Sequence, residues 1–381
     1  MRVVLDGRPV GEHFPGIGRY VYHLTRALAE GAPAPDILLL HDPRTGVPWR
    51  DLAGEFPQIT LVPAPWSPFS PAGQVAVPRL LRSLEADLYH ATYYLMPYLA
   101  GLPTVLTVYD LVPLRVPTAL APAWKRHLYH LLHRLAVRRA GLCLAISQAT
   151  ARDMTELLGV PPARVRVTYL APDPRFHPAQ DPADTARWKQ SRGLPARYVL
   201  YVGINKPHKN LERLVRAWEI VMARWREAWG ERPALVWAGP QDPRFPDTIE
   251  AFRRTPSTYA LGRLPDEELV HLYQGAELLV HPSLYEGFGL PVLEAMACGV
   301  PVACSGRPGL SEIAGGAALL FDPEDETAIA DVLTELLASP ERRQALALAG
   351  LARAAEFTWP ATARATLAAY SELTRSPAEK G

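Results

Sequence analysis

The chain has 381 residues, 48% of them hydrophobic, and 40 Lys and Arg set against 39 Asp and Glu leave a net charge of +1. That length is too great for one ordinary core and suits two domains of similar size, while the near-neutral balance argues against a dedicated nucleic-acid binder. Cys143, Cys298 and Cys304 have no metal-type spacing and are odd in number, which fits a reducing cytoplasm, and no apolar run approaches the ~20 residues that span a bilayer.

Short apolar runs alternate with helical patterns throughout, which predicts an α/β class with mostly parallel strands. In the first half, strands are expected at Arg2–Leu5, Ile37–Leu40, Ile59–Val62, Leu88–His90, Thr104–Tyr109, Leu142–Ile146 and Val165–Thr168. Residues 1–10 lack the long apolar stretch of a signal peptide. Gly16-Ile17-Gly18-Arg19-Tyr20 reads as a glycine loop, though no third glycine completes a dinucleotide fingerprint. Between 123 and 140, Lys125, Arg126, Arg134, Arg138 and Arg139 interleave with Trp124, Leu128, Leu131, Leu132 and Leu135 at helical spacing. Such a helix suits an anionic membrane surface; a helix packed on the sheet with solvated arginines is the other reading. Ser147 opens the next helix as an N-cap. Prolines and polar residues then gather without periodicity in 172–186, which marks a domain boundary.

In the second half, strands are expected at Tyr198–Val202, Ala234–Ala238, Thr258–Leu261, Leu278–His281, Val300–Ala303 and Ala318–Phe321. The domains expected are therefore 1–172, a linker at 173–186, 187–356, and a terminal segment 357–381 with a Trp-containing helix. After the first of these strands comes Gly203-Ile204-Asn205-Lys206-Pro207-His208-Lys209-Asn210. The chain has only five lysines and two asparagines, yet two of the lysines and both asparagines fall here. Lysine is a compact point charge on a flexible stem, suited to phosphate oxygens. Asparagine both donates and accepts, and tolerates left-handed backbone. Asn210 also suits the cap of a helix beginning at Leu211.

After Leu278–His281 comes Glu286-Gly287-Phe288-Gly289-Leu290-Pro291-Val292-Leu293-Glu294. Glycines allow a tight turn, Pro291 suits the first position of a helix, and Gly299 can end it. A strand, a glycine loop and a helix N-terminus make an anion site, while flanking carboxylates repel anions and accept from hydroxyls. A diphosphate between two hydroxyl-rich rings, as in a nucleotide sugar, fits both demands.

This segment resembles the Glu-x7-Glu signature of retaining glycosyltransferases of family 4, and the resemblance extends over nearly the whole chain. It implies the GT-B fold: two Rossmann-like domains facing a central cleft, with a C-terminal helix crossing back to the first. It places Glu286 beside the donor sugar, Glu294 on the ribose hydroxyls, and Lys209 on the diphosphate, within a donor site that also takes in Gly203, Asn205, Lys206, Gly287, Phe288, Gly289 and Leu290. Gly16 and Gly18 would approach the donor phosphates from the first domain, and Gly262-Arg263-Leu264 would contact the base, with Asp266 as contact or helix cap.

Two departures stand out. Many members have Arg after the first loop glycine, where this chain has Ile204, so Lys206 supplies the second charge or the clamp is weaker. Tyr109 stands before Asp110 where the family usually has His, and Tyr cannot change charge near neutral pH. A positioning role then remains for Tyr109 and Asp110, and His90 is a candidate substitute. The implied reaction moves a sugar, mannose being the first candidate with a GDP- or UDP-linked donor, to a saccharide or lipid-linked acceptor in surface polysaccharide assembly. No metal or resident cofactor is expected. The protein would be cytoplasmic, with a peripheral membrane contact through 123–140. A nucleotide-sugar epimerase of the same architecture is the alternative, and a nicotinamide oxidoreductase a remoter one.

Overall fold

Apolar runs that alternate with helices become parallel strands covered on both faces, so their side chains are buried whichever way they point. The computed structural model describes residues 1–10, 15–44, 49–226 and 230–375, and the thirteen expected strands all form within two residues of their expected ends. β1 Arg2–Asp6, β2 Asp36–His41, β3 Ile59–Pro63, β4 Leu88–Ala91, β5 Thr104–Val108, β6 Leu142–Ala145 and β7 Val165–Val167 make one sheet ordered β3-β2-β1-β4-β5-β6-β7. β8 Tyr198–Val202, β9 Ala234–Ala238, β10 Thr258–Gly262, β11 Leu278–His281, β12 Val302–Ser305 and β13 Leu319–Phe321 make a second, ordered β10-β9-β8-β11-β12-β13. Every pairing is parallel, as the helical crossovers require.

The chain divides into two compact units. One gathers residues up to Leu114, Leu120–Leu170 and the segment from Thr358 on; the other gathers Arg115–Ala119 and Ala171–Phe357. The segment 173–186 thus lies inside the second unit, and from Pro182 it is helical, with Asp181 capping the amide of Ala183. The order of strands reverses between β1 and β4 in the first sheet and between β8 and β11 in the second. In open parallel sheets ligands bind beyond the carboxyl ends of the strands at such a point.

The last helix, Trp359–Thr374, returns to the first unit and is pinned there by polar contacts. Thr362 donates to the Tyr169 carbonyl at 2.6 Å, and Arg166 pairs with Glu372 at 2.5 Å. The Tyr370 hydroxyl meets Nδ1 of His90 at 2.6 Å. The other His90 nitrogen meets the Thr107 hydroxyl at 2.7 Å, and Tyr20 reaches that same hydroxyl at 3.0 Å. His90 is fully buried in this network, and burial lowers its pKa to about 3. It is a structural pin, which removes it as a substitute for the missing catalytic histidine.

Burial likewise lowers His133 to about 3 and, in the second unit, His208 to about 4. The unfolded chain protonates these rings near 6.5 while the folded chain does not. Stability is therefore full above about pH 7 and falls as pH drops from about 6.5 toward 4, by up to about 1.4 kcal/mol per pH unit for each ring. Thermal melting between pH 7.5 and 5 checks this; a flat melting temperature contradicts it.

Candidate functional site

β8 and β11 are neighbours at the centre of the second sheet, and the two sequence segments richest in functional residues leave their carboxyl ends. The loop after β8 is held by its own backbone and by Asn205. The Gly203 N–H donates to Ala238, the Trp237 indole donates to the Gly203 carbonyl at 2.7 Å, and Tyr201 donates to Ile204. Gly203 is approached so closely by Gly239 (φ +141°) that a Cβ on Gly239 would lie 2.3 Å from the Gly203 oxygen. Asn205 is buried, spends both amide protons on the carbonyls of Asp242 and Phe245, and accepts from the Asp242 N–H at 2.6 Å. Its amide braces two loops against each other, which sets it apart from the donor-contacting role the resemblance suggests.

Lys209 follows in a single 3₁₀ turn, Pro207–Lys209. Asn210 then stands in the left-handed region at φ 62° and makes no side-chain cap to the following helix, correcting the expected role. Its amide instead donates to the carbonyls of Pro282 and Pro323, at 3.0 and 2.7 Å, and its oxygen accepts from Arg213. Asparagine suits both demands, since it tolerates left-handed backbone and can bond sideways to other chain segments. Lys206 is half-buried at the start of that turn.

The loop after β11 is tied to this turn by the Leu284 N–H, which donates to the His208 carbonyl at 2.8 Å. Glu286 is thereby brought to Lys209, whose Nζ lies 2.5 Å from Glu286 Oε1. Nε2 of His281, at the end of β11, meets the same oxygen at 3.0 Å. The Glu286 side chain keeps 12% exposure and Lys209 keeps 18%. Burial alone would raise the Glu286 pKa, but the Lys209 charge and the His281 hydrogen bond together hold it well below the ordinary range. The carboxylate is ionised and oriented.

Gly287, Phe288 and Gly289 lead into a helix over Leu290–Ala297, with Gly289 as its cap residue at φ 105°. Pro291 is the second helical residue rather than the first, and Gly299 follows the end at φ 72°. Glu294 lies a full turn inside this helix, not in its first turn; it is buried and accepts from the Tyr273 hydroxyl at 2.8 Å. Gly262 closes β10 and accepts from the Gly239 N–H at 2.8 Å, so the ends of β8, β9 and β10 are laced together beside Leu264. Asp266 is the first residue of the next helix, after Pro265, and sits 3.2 Å from Arg175 in place of capping.

His281, Tyr273 and Gly309 escaped the sequence reading. A Cβ on Gly309, in the first turn of the helix Pro308–Ala314, would lie 2.0 Å from the Glu286 carbonyl oxygen. Gly309→Ala would force the Glu286 loop or this helix to shift, and we expect at least a tenfold drop in activity with a stability loss of about 1–3 kcal/mol. Steady-state kinetics beside thermal melting would check this; unchanged kinetics would contradict it.

In the first unit, Gly16 and Gly18 lie in the opening turn of the helix Pro15–Glu30, where a glycine loop was expected, and residues 11–14 are outside the described residues. Tyr109 packs edge-on against Tyr20 at 5.4 Å, and burial raises its pKa well above the usual tyrosine value. Asp110 accepts from the Val112 N–H at 3.0 Å, and its carbonyl accepts from Tyr129. Ser147 caps its helix at the Thr150 N–H, as expected, and Asp325 caps the helix Glu326–Ala338. The helix Ala123–Arg139 turns His133, Ala136 and Val137 inward and leaves Trp124, Leu128 and Leu131 exposed at 61%, 45% and 63%. Its apolar residues are thus divided between two faces. No helix of the described residues is long and apolar enough to cross a membrane.

Residues 15–176 match the family described as Glycosyltransferase Family 4, and residues 183–352 match glycosyl transferases group 1. Over 98% of its length the chain is 29% identical to the O-antigen chain mannosyltransferase B of Escherichia coli, all of which is covered. It is also 29% identical to the MMP alpha-(1->4)-mannosyltransferase of Mycolicibacterium hassiacum, covering 98% of each chain. The fold matches sucrose-phosphate synthase from Thermosynechococcus elongatus with a TM-score of 0.75 at 21% identity, over 98% of this chain and 99% of that one. These matches do not favour the epimerase alternative. With one family description on each half and the paired parallel sheets of a GT-B fold beneath them, the chain belongs to the family 4, group 1 glycosyltransferases.

Proposed function

We propose that this glycosyltransferase is a retaining mannosyltransferase that draws on a nucleotide diphosphate sugar, GDP-linked first and UDP-linked second, and extends a saccharide or lipid-linked acceptor in surface polysaccharide or glycolipid synthesis. The observation that carries the donor reading is the meeting of Lys209 and His281 on one oxygen of Glu286, beside the glycine-capped start of Leu290–Ala297. An ionised, oriented carboxylate accepts from sugar hydroxyls, while a lysine and a helix N-terminus favour the diphosphate. As the leaving group departs, negative charge grows on that diphosphate, and Lys209 with the amides of the loop stabilises it. Glu294, held by Tyr273, takes the ribose hydroxyls, and the departing phosphate assists deprotonation of the acceptor on the same face. Tyr109 and Asp110 position the reacting groups without changing charge. Mannose is supported by the two full-length relatives, both mannosyltransferases. A thermal-shift panel of UDP, GDP, ADP and their sugars tests the donor. Proton NMR of the product then tests retention: an inverted anomeric centre refutes it.

The lipid-linked acceptor is supported by the helix Ala123–Arg139, which holds no Asp or Glu and exposes Trp124, Leu128 and Leu131 among Lys125, Arg134, Arg138 and Arg139. Apolar side chains entering the acyl boundary beneath basic ones facing headgroups describe a peripheral contact with the anionic cytoplasmic leaflet. Flotation with vesicles containing phosphatidylglycerol tests it. Wild type should float, and the triple change of Arg134, Arg138 and Arg139 to Glu should abolish flotation; equal flotation of both removes the idea.

A further inference from the structure

We propose that His281 is the positioning residue that holds Glu286 toward the donor sugar while Lys209 turns away to the diphosphate. The inference rests on the donor reading of the same loop. Both His281 Nε2 and Lys209 Nζ bond Oε1 of Glu286, and among the described residues Oε2 has no side-chain partner. The two holders differ in freedom. Lys209 ends a flexible four-carbon stem and keeps 18% exposure, so its ammonium can swing to a phosphate oxygen. His281 is fully buried at the end of a central strand, with its ring stacked 6.3 Å from that of Tyr201. It cannot follow.

A carboxylate only accepts hydrogen bonds, so Nε2 must carry the proton and Nδ1 is the bare nitrogen. Nδ1 is buried with no hydrogen-bond partner, which agrees with that tautomer. The groups facing the ring are Glu286, Lys209, His208 and Tyr201, and burial lowers the His281 pKa, which favours the neutral imidazole. When the donor draws Lys209 away, the Nε2–H bond is the remaining constraint on Oε1, and Oε2 is left to accept from a sugar hydroxyl. Loss of that bond frees the carboxylate to rotate, which misplaces the sugar without weakening the grip on the nucleotide.

The test uses the whole chain with His281→Gln and His281→Asn. The Gln amide nitrogen reaches the place of Nε2; the Asn amide stops short of Glu286. GDP titration reads nucleotide binding, and GDP-mannose turnover reads kcat and KM, with UDP and UDP-glucose in their place where the donor panel selects uridine. We expect His281→Asn to lose roughly 30- to 100-fold in kcat with GDP affinity within threefold of wild type, and His281→Gln to recover at least tenfold of that loss. Equal kcat for the two variants, or parallel loss of kcat and GDP affinity, overturns the role. Matching melting temperatures for Gln and Asn separate positioning from folding. A wild-type chain that turns over no nucleotide sugar sinks the donor reading itself, whereas an active wild type with a fully active His281→Asn sinks only this inference.

Discussion

Glu286→Gln is expected to lower transfer roughly 100- to 1,000-fold while nucleotide affinity stays within a few-fold of wild type, a loss typical of removing one preorganised polar contact to the reacting group. The amide keeps the shape and one acceptor oxygen but loses the charge that orders a sugar hydroxyl. It also releases Lys209, which lies 2.5 Å from the native carboxylate and would then face the diphosphate unopposed. Nucleotide affinity should therefore hold or rise as transfer collapses. Calorimetry with GDP and UDP beside steady-state kinetics reads both quantities. Equal loss of binding and transfer would remove the sugar-directed role of Glu286.

Lys209→Met is expected to do the reverse at the nucleotide and to harm the fold as well. Methionine fills the lysine's length without its charge, so diphosphate affinity should fall about 10- to 100-fold, in line with the loss of one charge-assisted contact of about 1.5–3 kcal/mol. The Glu286 carboxylate would lose its principal counter-charge and keep only His281. Breaking a buried pair on one side costs about 3 kcal/mol or somewhat less where, as here, part of the pair remains exposed. The sign with pH is specific. In wild type Lys209 helps hold the Glu286 pKa well below the ordinary range, despite burial that acts to raise it. In the variant burial prevails and raises the folded value, so the added instability is full at neutral pH and shrinks as the carboxyl protonates on approach to pH 4.5. Melting curves of both proteins from pH 7.5 to 4.5 should draw together toward the acid end without meeting, since the wild-type carboxylate stays ionised there. A constant gap would contradict the pairing.

The strands were legible because a parallel sheet buried on both faces demands unbroken apolar runs, and no other element of this chain carries them so compactly. The Lys209 and Glu286 loops were legible for a related reason: each follows such a run, and lysine and asparagine are rare enough elsewhere to stand out. What the asparagines do was not. Capping by Asn210 is a local guess from its next neighbour, whereas its bonds to Pro282 and Pro323 join residues 72 and 113 positions away. Asn205 likewise reads as a ligand contact because its bracing partners, Asp242 and Phe245, lie in the loop after another strand. Gly16 and Gly18 read as a loop because glycine weakens a helix; tertiary packing of Ile17, Tyr20 and Val21 overrides that preference. His281 carried a faint signal, a histidine ending an apolar strand five residues before the glutamate. Gly309 and Tyr273 carried none, since each matters only through a backbone or side chain brought near by the order of strands.

Diffraction from crystals soaked with GDP-mannose, or UDP-glucose where the panel selects uridine, tests the central claim most directly. The account predicts the two phosphates between Lys209 and the start of Leu290–Ala297, the hexose against Glu286 and the ribose against Glu294. Phosphates seated away from the ends of β8 and β11, or a sugar out of reach of Glu286, would contradict it.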